Sequence, residues 1–387
     1  LYDNVQYTGW HSAFPDAPVR VLPETARHLP LENGIFFLAD FVPPGDAISP
    51  RTVLQRVLKR YDDAGLLPFS AFEYEFFCFN ETPASARAKG YRDLEPFTPG
   101  NFGYSVIRNS VHADLYKDFM DMFAKMNIPI EGLHTETGPG VLEAAITVSD
   151  ALLSADNASL FKTFAKVFFQ SRGMMCTFMA KWSLQYAGQG GHMHMSIKSK
   201  DGKSLFFDVS KPNNISDLMR CFIAGQEKYM PQMLAMVSPT VNSFTRLIPG
   251  FWAPTSASWG IDNRTTALRV IGGSPKSQRV EYRVAASDAN PYLALAAALG
   301  SGLLGIEEGT ACREHVQGNA YAMKQPPEYD LPRTLWEAAQ NLRQSKAARG
   351  LFGDAFVDHY AATREWEERE FRRHITDWEL SRYFEII

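Results

Sequence analysis

Residues 246–283 read RLIPGFWAPTSASWGIDNRTTALRVIGGSPKSQRVEYR, and the end of this stretch predicts a site. The residues QRVEYR have the character of a β-strand, in which alternate side chains point to the same face. Arg279, Glu281 and Arg283 therefore share one face, whereas the residues between them are apolar and suit a covered strand. Three charges on a covered strand are costly unless they meet counter-charges, metal ions or phosphate groups. The stretch therefore predicts a site that binds cations and anions together.

Length and composition predict a globular protein of one large or two ordinary domains. Of the 387 residues, 45% are hydrophobic and 21% are charged, and a net charge of −4 gives no support for binding to nucleic acid. The four cysteines lie far apart without a CxxC spacing, which is typical of reduced thiols in a cytoplasmic protein. We expect no membrane span, since the longest apolar run is short and interrupted by glycine.

Local patterns predict a mixed α+β chain. The segment PRTVLQRVLKRYDDAG begins with proline and ends with glycine, as helices commonly do. The segments FSAFEYEFFCF and GGHMHMSIK predict strands, and the turn SKDGK predicts a hairpin from the second of these to a strand KSLFF. The turn PPGDAISP predicts a domain boundary near residue 48, which separates residues 1–48 from residues 49–387.

Pairs of ionisable residues recur two positions apart on the predicted strands. Glu73 and Glu75 form one pair, and His192 and His194 form another. One such pair alone is typical of a solvated strand face, but these pairs alternate with bulky apolar residues, which favours a covered position. Carboxylates with one imidazole suit Mg²⁺ or Mn²⁺ better than structural zinc, and arginines suit phosphate. Together they indicate phosphoryl transfer, although the chain has no P-loop motif and no kinase HRD or DFG motif.

Taken together, seven ordered blocks resemble the glutamine synthetase family, and in particular its branch of γ-glutamyl amide ligases that use amines other than ammonia. The blocks are FEYEFFCF, HTETGPGVLEAAI, AGQGGHMHMS, NSFTRLIPGFWAP, NRTTALRV, RVEYR and ANPYLALAAAL. The resemblance implies an α+β fold, with a small N-terminal β-grasp domain before a catalytic domain on a curved antiparallel sheet surrounded by helices.

The resemblance also implies a role for each matching residue. It implies two or three Mg²⁺ or Mn²⁺ ions per site and ATP as a substrate. One ion would be held by Glu75, Glu136 and Glu143, and a second by Glu73, His192 and Glu281. Arg264, Arg269 and Arg279 would contact the ATP phosphates, with His194 beside the transferring group and Ser196 and Lys276 near the nucleotide. Arg246, Arg283 and Gly188 would bind L-glutamate.

The opening DNVQYTGW resembles a loop that members of this family place at a neighbouring subunit's site. Asp3 would then lie at the amine site as a catalytic residue, and Trp10 would lie beside the nucleotide. The resemblance therefore implies a homo-oligomer of stacked rings with shared active sites. Its substrates would be L-glutamate, ATP and a small amine, with no nucleic acid and no membrane as partners.

Trp252 departs from the family pattern at the amine site. The family carries a glutamate at this position of the block RLIPGFWAP, and tryptophan can neither accept a proton nor balance an ammonium charge. An indole instead supplies an apolar or cation–π wall. We therefore favour a ligase for an apolar alkylamine or arylamine. A packed aromatic residue without such a role, a γ-glutamylpolyamine ligase, an authentic glutamine synthetase and a non-catalytic structural relative remain the alternatives.

Overall fold

The computed structural model describes residues 12, 13 and 15–386. Within that part of the chain, most strands assemble into one large sheet, and the first two form a small sheet of their own. The strands are β1 (Val19–Leu29), β2 (Gly34–Phe41), β3 (Leu66–Phe79), β4 (Ile130–Thr135), β5 (Val141–Ile146), β6 (Ser149–Asp150), β7 (Met175–Thr177), β8 (Gly191–Ser199), β9 (Trp259–Ile261), β10 (Leu268–Ile271) and β11 (Arg279–Tyr282).

The α-helices surround the large sheet and supply much of its core. They are α1 (Pro50–Asp63), α2 (Pro83–Ala88), α3 (Val106–Val111), α4 (Ala113–Lys125), α5 (Ala151–Gln170), α6 (Asp217–Val237), α7 (Val241–Arg246), α8 (Pro291–Glu308), α9 (Leu335–Gln344), α10 (Lys346–Phe352), α11 (Asp354–Phe371) and α12 (Asp377–Tyr383). Short 3₁₀ turns occupy Gly45–Ala47, Pro212–Asn214, Ala320–Ala322 and Pro327–Tyr329.

The large sheet runs in the order β4-β5-β3-β8-β11-β10-β9, with β6 and β7 also paired to β3. All neighbouring strands are antiparallel except β9 and β10, which are parallel. The strand β3 is long because its apolar residues alternate and then run together as FFCF, so that both of its faces become covered. It lies between β5 and β8, which brings distant parts of the chain together.

The strand register sets ionisable residues opposite one another. Glu73 on β3 pairs with His192 on β8, and Glu281 on β11 pairs with His194 on β8. Glu75 pairs with Glu143 on β5. Because residues paired across antiparallel strands project to the same face, this register gathers the acids and imidazoles on one face of the sheet.

Two buried helices, α6 and α8, pack closely behind the sheet. A Cβ at Gly225 would lie 2.3 Å from the carbonyl oxygen of Ser301, and a Cβ at Gly305 would lie 2.1 Å from that of Cys221. Glycine at both positions lets the two backbones approach more closely than any larger residue would allow.

The small sheet of β1 and β2 contacts the rest of the molecule through polar bonds as well as apolar packing. Arg27 donates to the side chain of Asn157 on α5, and Asp40 accepts from Ser49 and Thr52 at the start of α1. The boundary at residue 48 stays a prediction.

The hairpin prediction was wrong in part. The turn forms, and Leu205 N–H donates to the Ile197 carbonyl, but residues 203–207 make only isolated bridges instead of a strand. Phe206, which follows Leu205, is fully buried, and Phe207 then bridges to Ile215. Among the described residues, no helix combines the length and apolar character needed to cross a lipid bilayer.

Candidate active site

A cavity of about 430 Å³ opens above the face of the sheet that carries the paired acids. Twelve of the residues singled out in the sequence line it: Glu73, Glu75, Glu136, Glu143, Gly188, His192, Arg246, Trp252, Arg264, Arg269, Glu281 and Arg283. These residues come from widely separated parts of the chain, so tertiary folding alone unites them. We call this space the main cavity.

The first carboxylate cluster consists of Glu73, His192 and Glu281. Each offers one ligand atom, and these atoms all lie within 4.8 Å of one another. His192 Nδ1 lies 3.2 Å from Glu73 Oε1 and 3.5 Å from Glu281 Oε1. The β3–β8–β11 register accounts for this arrangement directly.

Cations of the protein itself surround the first cluster. Arg269 Nη1 donates to Glu281 Oε2 at 3.1 Å, and Arg283 Nη1 donates to Glu281 Oε1. Burial would raise the pKa of Glu281, but the charges of Arg283 and His192 outweigh it and lower that pKa. Burial would also raise the pKa of Glu73. Hydrogen bonds from His192 and His194 outweigh this effect of burial, so that the pKa of Glu73 lies well below its ordinary value.

The second carboxylate cluster consists of Glu75, Glu136 and Glu143, whose ligand atoms also lie within 4.8 Å of one another. Gly190 N–H donates to Glu75 Oε2 at 2.5 Å, and His134 Nε2 lies 3.2 Å from Glu143 Oε1. Burial, followed by repulsion from Glu75, raises the pKa of Glu136. Burial, together with repulsion from Glu73 and Glu75, raises the pKa of Glu143. The bond from His134 acts in the opposite direction but does not outweigh them. The second cluster's one bonded cationic neighbour among the described contacts is His134, whose pKa the Glu143 bond raises to about 9, and it lacks the bonded arginines of the first cluster.

Both clusters fit divalent cations of the hard type. Five carboxylates and one imidazole are the donors that Mg²⁺ and Mn²⁺ accept, and they contain no thiolate that would favour zinc. Mutual repulsion in the second cluster is what a bound cation would relieve. The metal-binding roles themselves stay predictions.

Arg246 lies fully enclosed at the inner end of the main cavity. Its guanidinium donates to the carbonyl oxygens of Val284 and Arg283, at 2.9 and 3.1 Å. A Cβ at Gly188 would lie 2.6 Å from Arg246 Cγ, so glycine gives the arginine its space. No carboxylate is bonded to this guanidinium among the contacts of the described residues, which leaves its charge available to an anion.

Trp252 lies at the mouth of the main cavity on the loop that follows α7. Its side chain is 55% exposed and its φ is +61°, a left-handed value that is uncommon for a bulky residue. Gly250, two residues earlier, also has a positive φ of +85°. Trp252 lines the main cavity from this loop.

Several predicted residues lie beside the main cavity and do not line it. His194 Nε2 lies 3.3 Å from Glu73 Oε2, while His194 Nδ1 accepts from Arg279 Nε at 3.1 Å. Ser196 follows on the same face of β8, and Lys276 lies exposed in the turn between β10 and β11. Asp3 and Trp10 fall outside the described residues.

Three residues of the site were missed in the sequence. Tyr104 donates to Glu136 Oε1 at 3.2 Å and stacks on His134 with ring centroids 4.8 Å apart. Asp262 accepts from Arg269 Nε at 3.0 Å. His134 lies on β4, two residues before Glu136, so the two-residue spacing used for the other pairs could have found it. Tyr104 and Asp262 lie in loops, where no periodicity marks them.

Comparison with protein families gives one match over most of the chain. A model described as glutamine synthetase, catalytic domain, matches residues 47–383. That interval contains every described residue of the main cavity.

Comparisons with individual proteins agree. The chain is 42% identical over 396 residues to type-1 glutamine synthetase 2 of Dictyostelium discoideum, covering 100% of this chain and 75% of that protein. It is 34% identical over 393 residues to a glutamate–isopropylamine ligase of a Pseudomonas species, covering 100% and 85%. A solved structure of apo GmaS without ligand superposes with a TM-score of 0.85 at 25% identity, covering 96% of this chain and 86% of that one. The predicted fold class is confirmed.

Proposed function

This chain belongs to the glutamine synthetase family and is an ATP-dependent glutamate ligase, and from that premise we propose that its amine substrate is not ammonia. The proposed reaction joins the γ-carboxylate of L-glutamate to an apolar alkylamine or arylamine. Glutamate is first activated as γ-glutamyl phosphate, and the amine then displaces the phosphate. The observation that carries this proposal is Trp252, which lines the main cavity where the family has a glutamate.

Two sets of residues in the main cavity suit the first half-reaction. The first and second carboxylate clusters would each hold a divalent cation, Mg²⁺ or Mn²⁺. Such ions, when bound, neutralise phosphate charge and polarise the phosphoryl group. Arg264 and Arg269 line the same cavity and would pair with the transferred phosphoryl oxygens, because a guanidinium matches phosphate geometry.

Substrate placement follows from the charges that remain. Arg246 and Arg283 would hold the carboxylates of glutamate, with Gly188 leaving room for them. His194 and Arg279, which contact each other beside Glu73, would flank the transferring phosphate, and Ser196 and Lys276 would lie toward the nucleotide. Trp10 would contact the nucleotide from a neighbouring subunit.

The amine must reach the acyl phosphate with a free lone pair. An alkylamine is largely protonated at neutral pH, as a lysine amine with a pKa of about 10.4 is, so that it must lose a proton before attack. Trp252 cannot take that proton, and we assign the task to Asp3. An arylamine is neutral already and needs less help. Trp252 offers both kinds of amine an aromatic surface.

The test is steady-state ADP release with glutamate, ATP and a panel of amines that includes ammonia. We expect the highest kcat/KM with an alkylamine or arylamine. Trp252→Glu should shift preference toward ammonia, whereas Trp252→Phe, which keeps an aromatic wall, should not. Highest activity of the unmodified enzyme with ammonia would overturn the proposal.

The second candidate is authentic glutamine synthesis from ammonia, which the similarity to the Dictyostelium enzyme favours. The same panel separates the two, because only this candidate predicts that glutamine is the main product.

We further propose a cytoplasmic homo-oligomer of stacked rings. All four cysteines are free thiols, as a reducing compartment would keep them. Next to Tyr104, the side chains of Phe102, Val106, Ile107 and Val111 are 62–78% exposed, which is unusual for apolar residues and suits coverage by a neighbouring subunit. Light scattering of the purified protein tests this assembly.

A further inference from the structure

A second, smaller cavity adjoins the main cavity behind Trp252. Its volume is about 220 Å³. Its walls come from the loop before α3, the turn after β4, the loop before β8 and the loop after α7. The residues that matter below are Asn101, Thr137, Gln185, Tyr186, Phe251 and Trp252. We call this space the side compartment.

The side compartment shares part of its lining with the main cavity. Thr137, Ala187 and Trp252 line both spaces. A molecule with its nitrogen beside Trp252 in the main cavity therefore lies next to the side compartment. Trp252 forms the boundary between the two spaces.

The two spaces differ in charge. Five glutamates and four arginines line the main cavity, whereas no described residue that lines the side compartment carries a charge. Its polar groups are amides and hydroxyls. A neutral group could move from water into this space at little cost in free energy, but a charged group would meet no counter-ion in its lining.

A buried cation lies next to this space. The ammonium group of Lys181 lies over the ring of Phe251 at 4.3 Å, on a side chain that is almost completely buried and makes no hydrogen bond through Nζ. Burial, and then the charge of Arg246, lowers the pKa of Lys181, in keeping with the lack of an anionic partner. Lys181 therefore offers a second ammonium group in the side compartment no favourable charge interaction.

The walls of the side compartment are held in place by different contacts. Tyr186 stacks on Trp182, which packs against Phe77 and Phe79 of β3, so this wall is fixed to the sheet. Asn101 is held because its Oδ1 accepts from Gly138 N–H at 2.9 Å. The opposite wall is the loop that carries Trp252. The fixed side can thus limit the shape of what enters.

We infer that the side compartment receives the organic substituent of the amine and selects substituents that carry no charge. This inference rests on the proposed function, since it requires an amine larger than ammonia. The volume of about 220 Å³ leaves room for a substituent larger than a water molecule. The lining argues specifically against diamines and polyamines, whose distal ammonium group would lie there.

The most direct test compares n-butylamine with 1,4-diaminobutane, which differ by one distal ammonium group. We expect kcat/KM for the monoamine to exceed that for the diamine by about tenfold or more, because the distal charge has no partner. Asn101→Asp and Gln185→Glu each place a carboxylate in the side compartment with almost no change of shape, and the carboxylate introduced by the first can still accept from Gly138 N–H. Each should lower the monoamine-to-diamine ratio by about tenfold.

The matched control is Gln55→Glu, which adds the same charge at an exposed position of α1 outside both cavities. Its ratio should equal that of the unmodified enzyme. An unchanged ratio in both compartment variants, with activity on n-butylamine retained, would overturn the inference while leaving the proposed function intact. Activity with ammonia alone would overturn both. Two variants are used so that misfolding of one does not end the test.

Discussion

The two carboxylate clusters share one cavity, yet their electrostatic surroundings are opposite. The first cluster is balanced by Arg269, Arg283 and histidines, and the pKa values of its acids are lowered. In the second cluster, Glu136 and Glu143 have raised pKa values, because burial and mutual repulsion exceed the help from His134. The first cluster is therefore part of a salt-bridged scaffold even without metal, whereas the second is under repulsion until a cation arrives.

This difference indicates that the two clusters contribute differently to stability and to catalysis. Of the two arginines that balance the first cluster, Arg269 is also proposed to meet phosphate and Arg283 to hold glutamate, so a change there should affect both stability and chemistry. The second cluster should influence stability mainly through metal. The following predictions test that contrast.

The largest effect is expected from Glu281→Ala. It removes a proposed metal ligand and the common partner of Arg269 and Arg283. We expect ligase activity to fall by at least about a thousandfold while the protein keeps its elution volume, because charge stabilisation of this kind is worth several kcal/mol. The rate of ADP release measures the ligase activity, and Glu307→Ala on the surface is the control. Activity near that of the unmodified enzyme would contradict the metal role.

The next effect concerns the metal-free protein. Glu281→Gln should lower the free energy of unfolding by on the order of 3 kcal/mol, since it removes the carboxylate bonded to Arg283 and one of the two bonded to Arg269. Thermal unfolding in EDTA measures the change. An unchanged melting temperature would show that the first cluster is not a scaffold in the absence of metal.

For the second cluster, Glu136→Gln should act in two opposite ways. In EDTA it should raise stability by on the order of 1 kcal/mol, because one of the repelling charges is gone. Mn²⁺ at a hundredfold excess over its Kd should stabilise the unmodified protein by about 2.7 kcal/mol, and the variant should show little of this stabilisation. Thermal unfolding with and without Mn²⁺ measures both, and the exposed Glu131→Gln is the control. Little Mn²⁺ stabilisation of the unmodified protein would instead support a non-catalytic relative.

The smallest effect is expected from Asp262→Asn. Asp262 holds Arg269 from the side opposite to Glu281, but its side chain is 70% exposed. Exposed ion pairs contribute about 0.2–1 kcal/mol, so the KM for ATP should rise no more than about fivefold while kcat is largely kept. The similarly exposed Asp63→Asn, which loses only its pairing with Lys59, should change neither constant. A large fall in kcat for Asp262→Asn would mean that Asp262 acts in the chemistry itself.

Strand periodicity predicted much of the site, because charges at alternate positions of a covered strand are costly unless they bind a partner. It placed Glu73, His192 and Glu281 on strands that the structure does bring together. It failed for Tyr104 and Asp262, which lie in loops whose conformation depends on contacts with other parts of the chain. It also failed for residues 203–207, which make isolated bridges instead of a strand because Phe207 bridges to Ile215 and not to β8.

By itself, the sequence determined the types of donor, their spacing along each strand and the fold class, because alternation and helix punctuation are local properties of the chain. Only the tertiary structure decided which cluster is balanced by arginines and which is not. It also decided that an uncharged space lies behind Trp252. Charge balance and cavity shape arise from side chains distant in sequence, and their energies depend on burial and separation in space.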